Sequence, residues 1–180
     1  MKVIGARTLD IRNKKPDLFG RAIMWWCFTK AKTPKSQRFH HTADVFTIQL
    51  DDGRIIEKVY DANIHYEENN YTEWIKDWDI INTCDTIKAF DISEEQIQKI
   101  WERAKSFVGT GYGVYSILGI LWHGITKGVT IGVDGTKSLI CSESSIRLYE
   151  FFLEGIIYPI DYLDPYERGF YFPMEPYTEV

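Results

Sequence analysis

The strongest periodic signal lies at 93–108, where Ile97, Ile100, Trp101, Ala104 and Val108 recur at three- and four-residue spacings. That spacing predicts a helix with one apolar stripe. Ser93 stands at the N-cap position, Glu94 and Glu95 fall in the first turn, where the helix dipole favours negative charge, and Gly109 ends the pattern. Segment 41–50 (HTADVFTIQL) is rich in β-formers, and Asp51-Asp52-Gly53 supplies turn chemistry before 54–62 (RIIEKVYDA). Residues 41–62 are therefore expected to form a β-hairpin. Segment 79–90 reads as a further strand, and 71–78 as a short helix or irregular loop.

Segment 142–153 reads as a second amphipathic helix: Ile146, Tyr149 and Leu153 share a stripe, Phe152 broadens it and Gly155 closes it. Segment 20–29 (GRAIMWWCFT) is apolar and aromatic, compatible with helix or strand. It leads into a basic, proline-containing loop with Lys30, Lys32, Lys35 and Arg38. That loop reads as solvated, with an anionic partner as the alternative. The most apolar stretch, 114–133, is interrupted by glycines, His123 and Lys127, so it reads as buried or groove-lining rather than membrane-spanning. Asp134-Gly135 marks a turn, and the tail 158–180, with Pro159, Pro165, Pro173 and Pro176, is expected to wrap the domain. The pattern as a whole is α+β, a small antiparallel sheet with helices packed around it.

Composition narrows the function classes. At 180 residues the chain suits one domain, and a formal net charge of −5 argues against a nucleic-acid binder. Met1 to Arg12 has no apolar signal-peptide core, so the expectation is a cytoplasmic protein without stable membrane insertion; a phage origin or release by another route stays compatible. Three widely spaced cysteines, Cys27, Cys84 and Cys141, make neither a disulfide framework nor a zinc knuckle.

Among the thiols, Cys141 has the most suggestive context. It directly precedes the 142–153 helix, where the dipole stabilises thiolate and free backbone N–H groups can hold an oxyanion. The alternative is a small buried residue. Cys27, in an apolar aromatic run, reads as core, and nothing near Cys84 would activate it. A thiolate nucleophile needs a base, and His40 and His41 open the first hairpin strand, where neighbouring side chains point to opposite faces. Asp61 on the second strand is placed to reach one of them. A solvated strand entry with a strand-end cap is the competing reading. A metal site from His40, His41, Asp44 and Asp61 is disfavoured because adjacent strand histidines rarely converge on one ion. No Gly-x-Ser-x-Gly elbow, Walker loop or dinucleotide fingerprint is present, and no cofactor is expected.

Five short motifs occur in order: Arg21-Ala22-Ile23-Met24-Trp25, His40-His41-Thr42-Ala43, Asp61-Ala62, Gly109-Thr110-Gly111-Tyr112-Gly113 and Cys141-Ser142-Glu143. In order and spacing they resemble the permuted papain-like branch of the NlpC/P60 superfamily, the YiiX/YaeF-type cysteine hydrolases, across about residues 18–165. The resemblance implies a circularly permuted papain-like domain in which 20–29 is a short helix. It implies Cys141 as nucleophile, His41 as base and Asp61, in place of the commoner glutamate, as the third polar residue. His40 takes the place of a serine, Gly113 the place of an aspartate, and Tyr112 is a candidate substrate-site wall, as is His40. The implied activity is thiol-dependent cleavage of amide or peptide bonds, cell-wall peptides among them. A lipid acyl hydrolase or acyltransferase, and a non-catalytic binding module, are the alternatives. The implied partners are peptide, peptidoglycan-like or acyl-lipid substrates.

Overall fold

The computed structural model describes residues 1–29, 34, 37–63, 65–112, 138–139, 141–152 and 171–178. Three long strands form the centre of the sheet: β1 (Lys2–Asn13), β2 (His41–Gln49) and β3 (Ile55–Ala62). Flanking them are β4 (Tyr66–Asn70), β5 (Trp78–Asp85) and, after a short pair β6 (Gly111–Tyr112) and β7 (Ser138–Leu139), β8 (Glu175–Pro176). The six-stranded sheet runs β4-β3-β2-β1-β5-β8, and every neighbouring pair is antiparallel. The helices are α1 (Leu18–Thr29), α2 (Tyr71–Trp74), α3 (Thr86–Phe90), α4 (Glu94–Phe107) and α5 (Cys141–Tyr149). The architecture is thus α+β, as the patterning predicts.

The expected hairpin is β2–β3, turning at Gly53, whose φ of 84° is one that a glycine adopts without strain. Helix α4 also stands where its stripe placed it. Ser93 and Gln96 complete a reciprocal capping box, and Gly109 ends the helix at φ 88°. Ile97, Ile100, Trp101 and Ala104 are all buried, and each large apolar side chain so buried contributes roughly 1.5–3 kcal/mol. Trp101 also donates its indole N–H to the Tyr60 hydroxyl at 2.9 Å, tying helix to sheet.

Strand β1 is the principal element that the patterning did not predict. It lies between β2 and β5, so the sheet takes in residues upstream of the 18–165 span covered by the motifs. Both of its faces are covered: Val3 and Ala6 join the helix-side core, while Leu9 and Ile11 pack on the opposite face with Ala43, Val45 and Val59. Segment 79–90 divides into strand β5 and helix α3, because the Asp85 carboxylate caps the Lys88 N–H and starts a helical turn. Segment 71–78 is the short helix α2 followed by a 3-10 turn, Ile75–Asp77. Residues 114–133, the 134–135 turn and Gly155 lie outside the described residues, as does the side chain of Cys27. Of the tail, 171–178 is described: Phe172 is buried against Phe90 and Tyr149, and β8 pairs with β5.

Candidate active site

The two faces of the sheet meet in a cluster of buried polar groups where β2 begins. His41, the first residue of β2, shares a face with Ala43 and Val45. Ala43 pairs with Asp61, so the carboxylate lies diagonally across from the ring rather than directly opposite it. His41 Nε2 and Asp61 Oδ2 are 3.0 Å apart, with both residues buried. Asp61 also accepts from Asn69 Nδ2 at 3.3 Å and Trp74 Nε1 at 3.4 Å, so three donors fix its orientation. Trp78 stacks on the imidazole, ring centroids 5.1 Å apart and planes 19° apart.

Cys141 arrives from the other face as the first residue of α5, so its N–H belongs to the unbonded first turn of a helix. Several hydrogen bonds pin this helix start. The Thr42 hydroxyl donates to the Cys141 carbonyl at 2.7 Å and the Ser144 hydroxyl at 2.9 Å. One turn on, Ser145 donates to Asp44 Oδ2 at 2.8 Å, and Thr8 donates to Asp44 Oδ1 at 2.5 Å. Asp44 is fully buried, and these hydroxyls satisfy its carboxyl group while fastening α5 to β1 and β2. The far end of α5 is held by a hydrogen bond between the Thr86 and Tyr149 hydroxyls at 3.2 Å. Glu143, also fully buried, pairs with Arg147 one turn along the helix at 2.6 Å.

Besides its contact with Asp61, the His41 ring is close enough to the Cys141 thiol for each to shift the other's pKa. Burial alone would lower the His41 pKa; the charge on Cys141 and hydrogen bonds with Asp61 and Cys141 overcome it and raise the value to about 10. Burial likewise pushes the Cys141 thiol up, but the His41 charge, the His41 hydrogen bond and hydrogen bonds from Thr42 win and hold it below the ordinary thiol value. The two shifts have one cause, the mutual influence of the Cys141 and His41 side chains out of water, which favours the charged form of each.

His40 takes no part in this relay. It faces α1, where a Cβ on Gly20 would lie only 2.9 Å from its Cδ2. Its Nδ1 is buried with no hydrogen-bond partner, and desolvation, followed by the charge of His41, lowers its pKa to about 4. Gly111 and Tyr112 pair in parallel with Ser138 and Leu139, so the Gly-x-x-Tyr segment runs beside the strand leading to Cys141. The Tyr112 side chain and Gly113 lie outside what is described. Cys84 is buried in the helix-side core and forms no disulfide. Composition and motif did not single out Trp74, Trp78 or Asn69. The tryptophans were visible only as aromatic residues near a short helix.

Beyond Asp61 opens a cavity of about 390 Å³, lined among others by Asn63, Asn69, Glu67, Glu73, Trp74 and Trp78. Its carboxylates and indole faces suit a cationic or hydroxyl-bearing group better than an acidic one.

No protein-family model and no curated protein matches the sequence. Among solved structures, the chain is similar to the crystal structure of metalloprotein yiiX from Escherichia coli O157:H7, at 15% identity and a TM-score of 0.51. The match covers 84% of this chain and 66% of that one, so the chain spans just under two thirds of its structural neighbour. At this identity the similarity is one of fold. The neighbour is called a metalloprotein. Among the described residues no group of three or more His, Cys, Asp or Glu could hold an ion.

Proposed function

We propose that this protein is a thiol-dependent acyl hydrolase of permuted papain-like fold, with Cys141 as nucleophile, His41 as base and acid, and Asp61 as the residue that orients the ring. The observation that carries the reading is the buried Cys141–His41–Asp61 relay, with the thiol pKa lowered and the imidazole pKa raised. The likeness to the yiiX fold and the order of the five sequence motifs support it.

The Cys141 thiolate attacks the carbonyl carbon and a C–S bond forms. The oxyanion is met by N–H groups at the start of α5. The C–N bond then breaks, and the leaving nitrogen takes the proton held by the His41 imidazolium, leaving a thioester. Water attacks the thioester as neutral His41 accepts its proton. The C–S bond breaks, the acid departs, and the thiolate–imidazolium pair is restored. Asp61 holds Nε2–H throughout. Amide and peptide bonds are the preferred substrates, because the acidic, indole-lined cavity beyond Asp61 suits the free amines of cell-wall-type peptides.

The test is covalent trapping. With an activated ester such as p-nitrophenyl acetate, intact-mass analysis is expected to show one acetyl group, mapped to Cys141 by peptide digestion and absent from Cys141→Ser. With amine-bearing muropeptides, new amino groups are expected to appear at a rate that His41→Ala abolishes. A chain that acquires no adduct at Cys141 overturns the reading.

A further inference from the structure

Helix α1 turns an apolar stripe to solvent. Leu18 is 85% exposed and Trp25 61% exposed, and Ala22 between them is exposed too. Spacings of four and three residues put the three on one side of the helix. Single exposed apolar residues are ordinary, but a stripe with a leucine and a tryptophan in water is a candidate contact surface. The helix is seated on its other side: Gly20 is buried and packs so closely on His40 that a Cβ would intrude. The outward stripe therefore belongs to a docked helix.

Charge identifies what the stripe fits. Lys14 and Lys15, just ahead of the helix, and Arg21 beside the stripe are exposed. Residues 12–38 hold eight lysines and arginines against one acidic residue, Asp17, a local charge of +7 in a chain of net charge −5. The remainder of the chain therefore carries −12, and the cations gather in the stretch of sequence that bears the exposed stripe. Apolar residues with a tryptophan, flanked by cations, match the interface of an anionic bilayer. The apolar side chains enter the headgroup boundary, the indole sits at headgroup depth, the cations meet phosphates, and the acidic bulk is repelled from the surface. No described helix is long and apolar enough to cross a membrane, so the stripe fits an arrangement in which α1 lies on the surface.

We infer that the Leu18–Ala22–Trp25 face of α1 docks this protein peripherally on anionic lipid bilayers. The inference stands apart from the hydrolase reading, since it rests on none of the Cys141, His41 or Asp61 geometry.

The experiment is flotation of the full chain with vesicles of phosphatidylcholine alone and of phosphatidylcholine mixed with phosphatidylglycerol, at low and high salt. Binding is expected on the anionic vesicles, about tenfold or more weaker on neutral vesicles and at high salt. Trp25→Glu, at a position 61% exposed and with its far-ultraviolet spectrum matched to the wild type, is expected to lower anionic-vesicle binding by about tenfold or more, and Lys14→Glu with Lys15→Glu by less. Alkylation of Cys141 by iodoacetamide is expected to proceed at the wild-type rate in Trp25→Glu, which separates the surface from the thiol site. Absence of binding to anionic vesicles, or undiminished binding by Trp25→Glu, overturns the inference. So does a dimer in sedimentation that Trp25→Glu dissolves while vesicles are ignored, since the stripe would then join two copies of this chain.

Discussion

Two buried carboxyl groups, Asp44 and Asp61, lie on opposite faces of the same β2–β3 hairpin, and their surroundings assign them different work. Asp44 faces the helices and is met by the hydroxyls of Thr8 and Ser145, neutral donors that belong to β1 and α5. Asp61 faces the other way and is met by an indole, a carboxamide and an imidazole that continues to a thiol. A carboxyl group bonded to hydroxyls is a clamp, because its donors do not exchange protons in the ordinary pH range. A carboxylate bonded to an imidazole that faces a sulfur can set a protonation state. Asp44 holds in place the helix that begins at Cys141, and Asp61 holds Nε2 of the His41 ring.

The variants that break this comparison are ordered by expected effect. Replacing His41 by Ala is expected to lower the neutral-pH alkylation rate of Cys141, and any acyl-transfer rate, by about 10²–10⁴-fold, with little change in the far-ultraviolet spectrum. Asp44→Ala is expected to act on folding instead. It removes the buried acceptor of the Ser145 hydroxyl and the shorter hydrogen bond of Thr8, and urea unfolding should show a loss of about 3 kcal/mol while the folded fraction keeps a reactive thiol. If Asp44→Ala folded normally and silenced Cys141, the contrast between the two carboxyl groups would be wrong.

Asp61→Asn keeps size and one acceptor but removes the charge. It is expected to slow alkylation about tenfold and to move its midpoint toward the ordinary thiol range. The pair also leaves a mark on stability. His41, with its pKa raised from 6.5 to about 10, contributes stability that is complete below 6.5 and lost as pH rises through about 10. Cys141, with its pKa lowered from 9.0, contributes stability present above 9.0 and lost as pH falls through the lowered value. Below 9.0 the two slopes oppose wherever the thiolate persists in the fold, and above 9.0 only the His41 slope remains, so the unfolding free energy is expected to fall as pH rises from 9.0 through about 10. Cys141→Ser should flatten the acid limb that belongs to the thiolate, measured as urea midpoint against pH. The smallest effect is expected at the edge of the site: Gly20→Ala pushes on the His40 ring and should cost about 1 kcal/mol or less, with Cys141 reactivity unchanged.

Much of this arrangement was legible in the residues, in proportion to how local its cause is. The β2–β3 hairpin follows from alternating β-formers around Asp51-Asp52-Gly53, and α4 from its stripe and capping box. The placement of Cys141 at a helix start followed from Cys-Ser-Glu and the stripe after it. Strand β1 was hidden because both its faces are buried and two of its buried positions, Thr8 and Asp10, are polar, which erases the period-two contrast that marks a half-exposed strand. Helix α3 was hidden by a cap, Asp85, standing at the end of a strand. The choice between His40 and His41 needed the register, since a one-residue slip exchanges the two faces. In the structure it is His41 that meets both Asp61 and Cys141, and His40 that packs on Gly20. Trp74, Trp78 and Asn69 reach Asp61 or the ring from β4, α2 and β5, and no spacing along the chain announces such a convergence.

The central claim is that Cys141 is an imidazole-paired thiolate held by the Asp61-oriented ring. It is tested most directly by the rate of Cys141 alkylation with iodoacetamide from acid to alkaline pH, in the wild-type chain and in His41→Ala. The account predicts a wild-type rate that stays high well below the ordinary thiol range near pKa 8.5, and a His41→Ala rate that titrates at or above that value. A wild-type profile with an ordinary thiol midpoint, unmoved by His41→Ala, would contradict it.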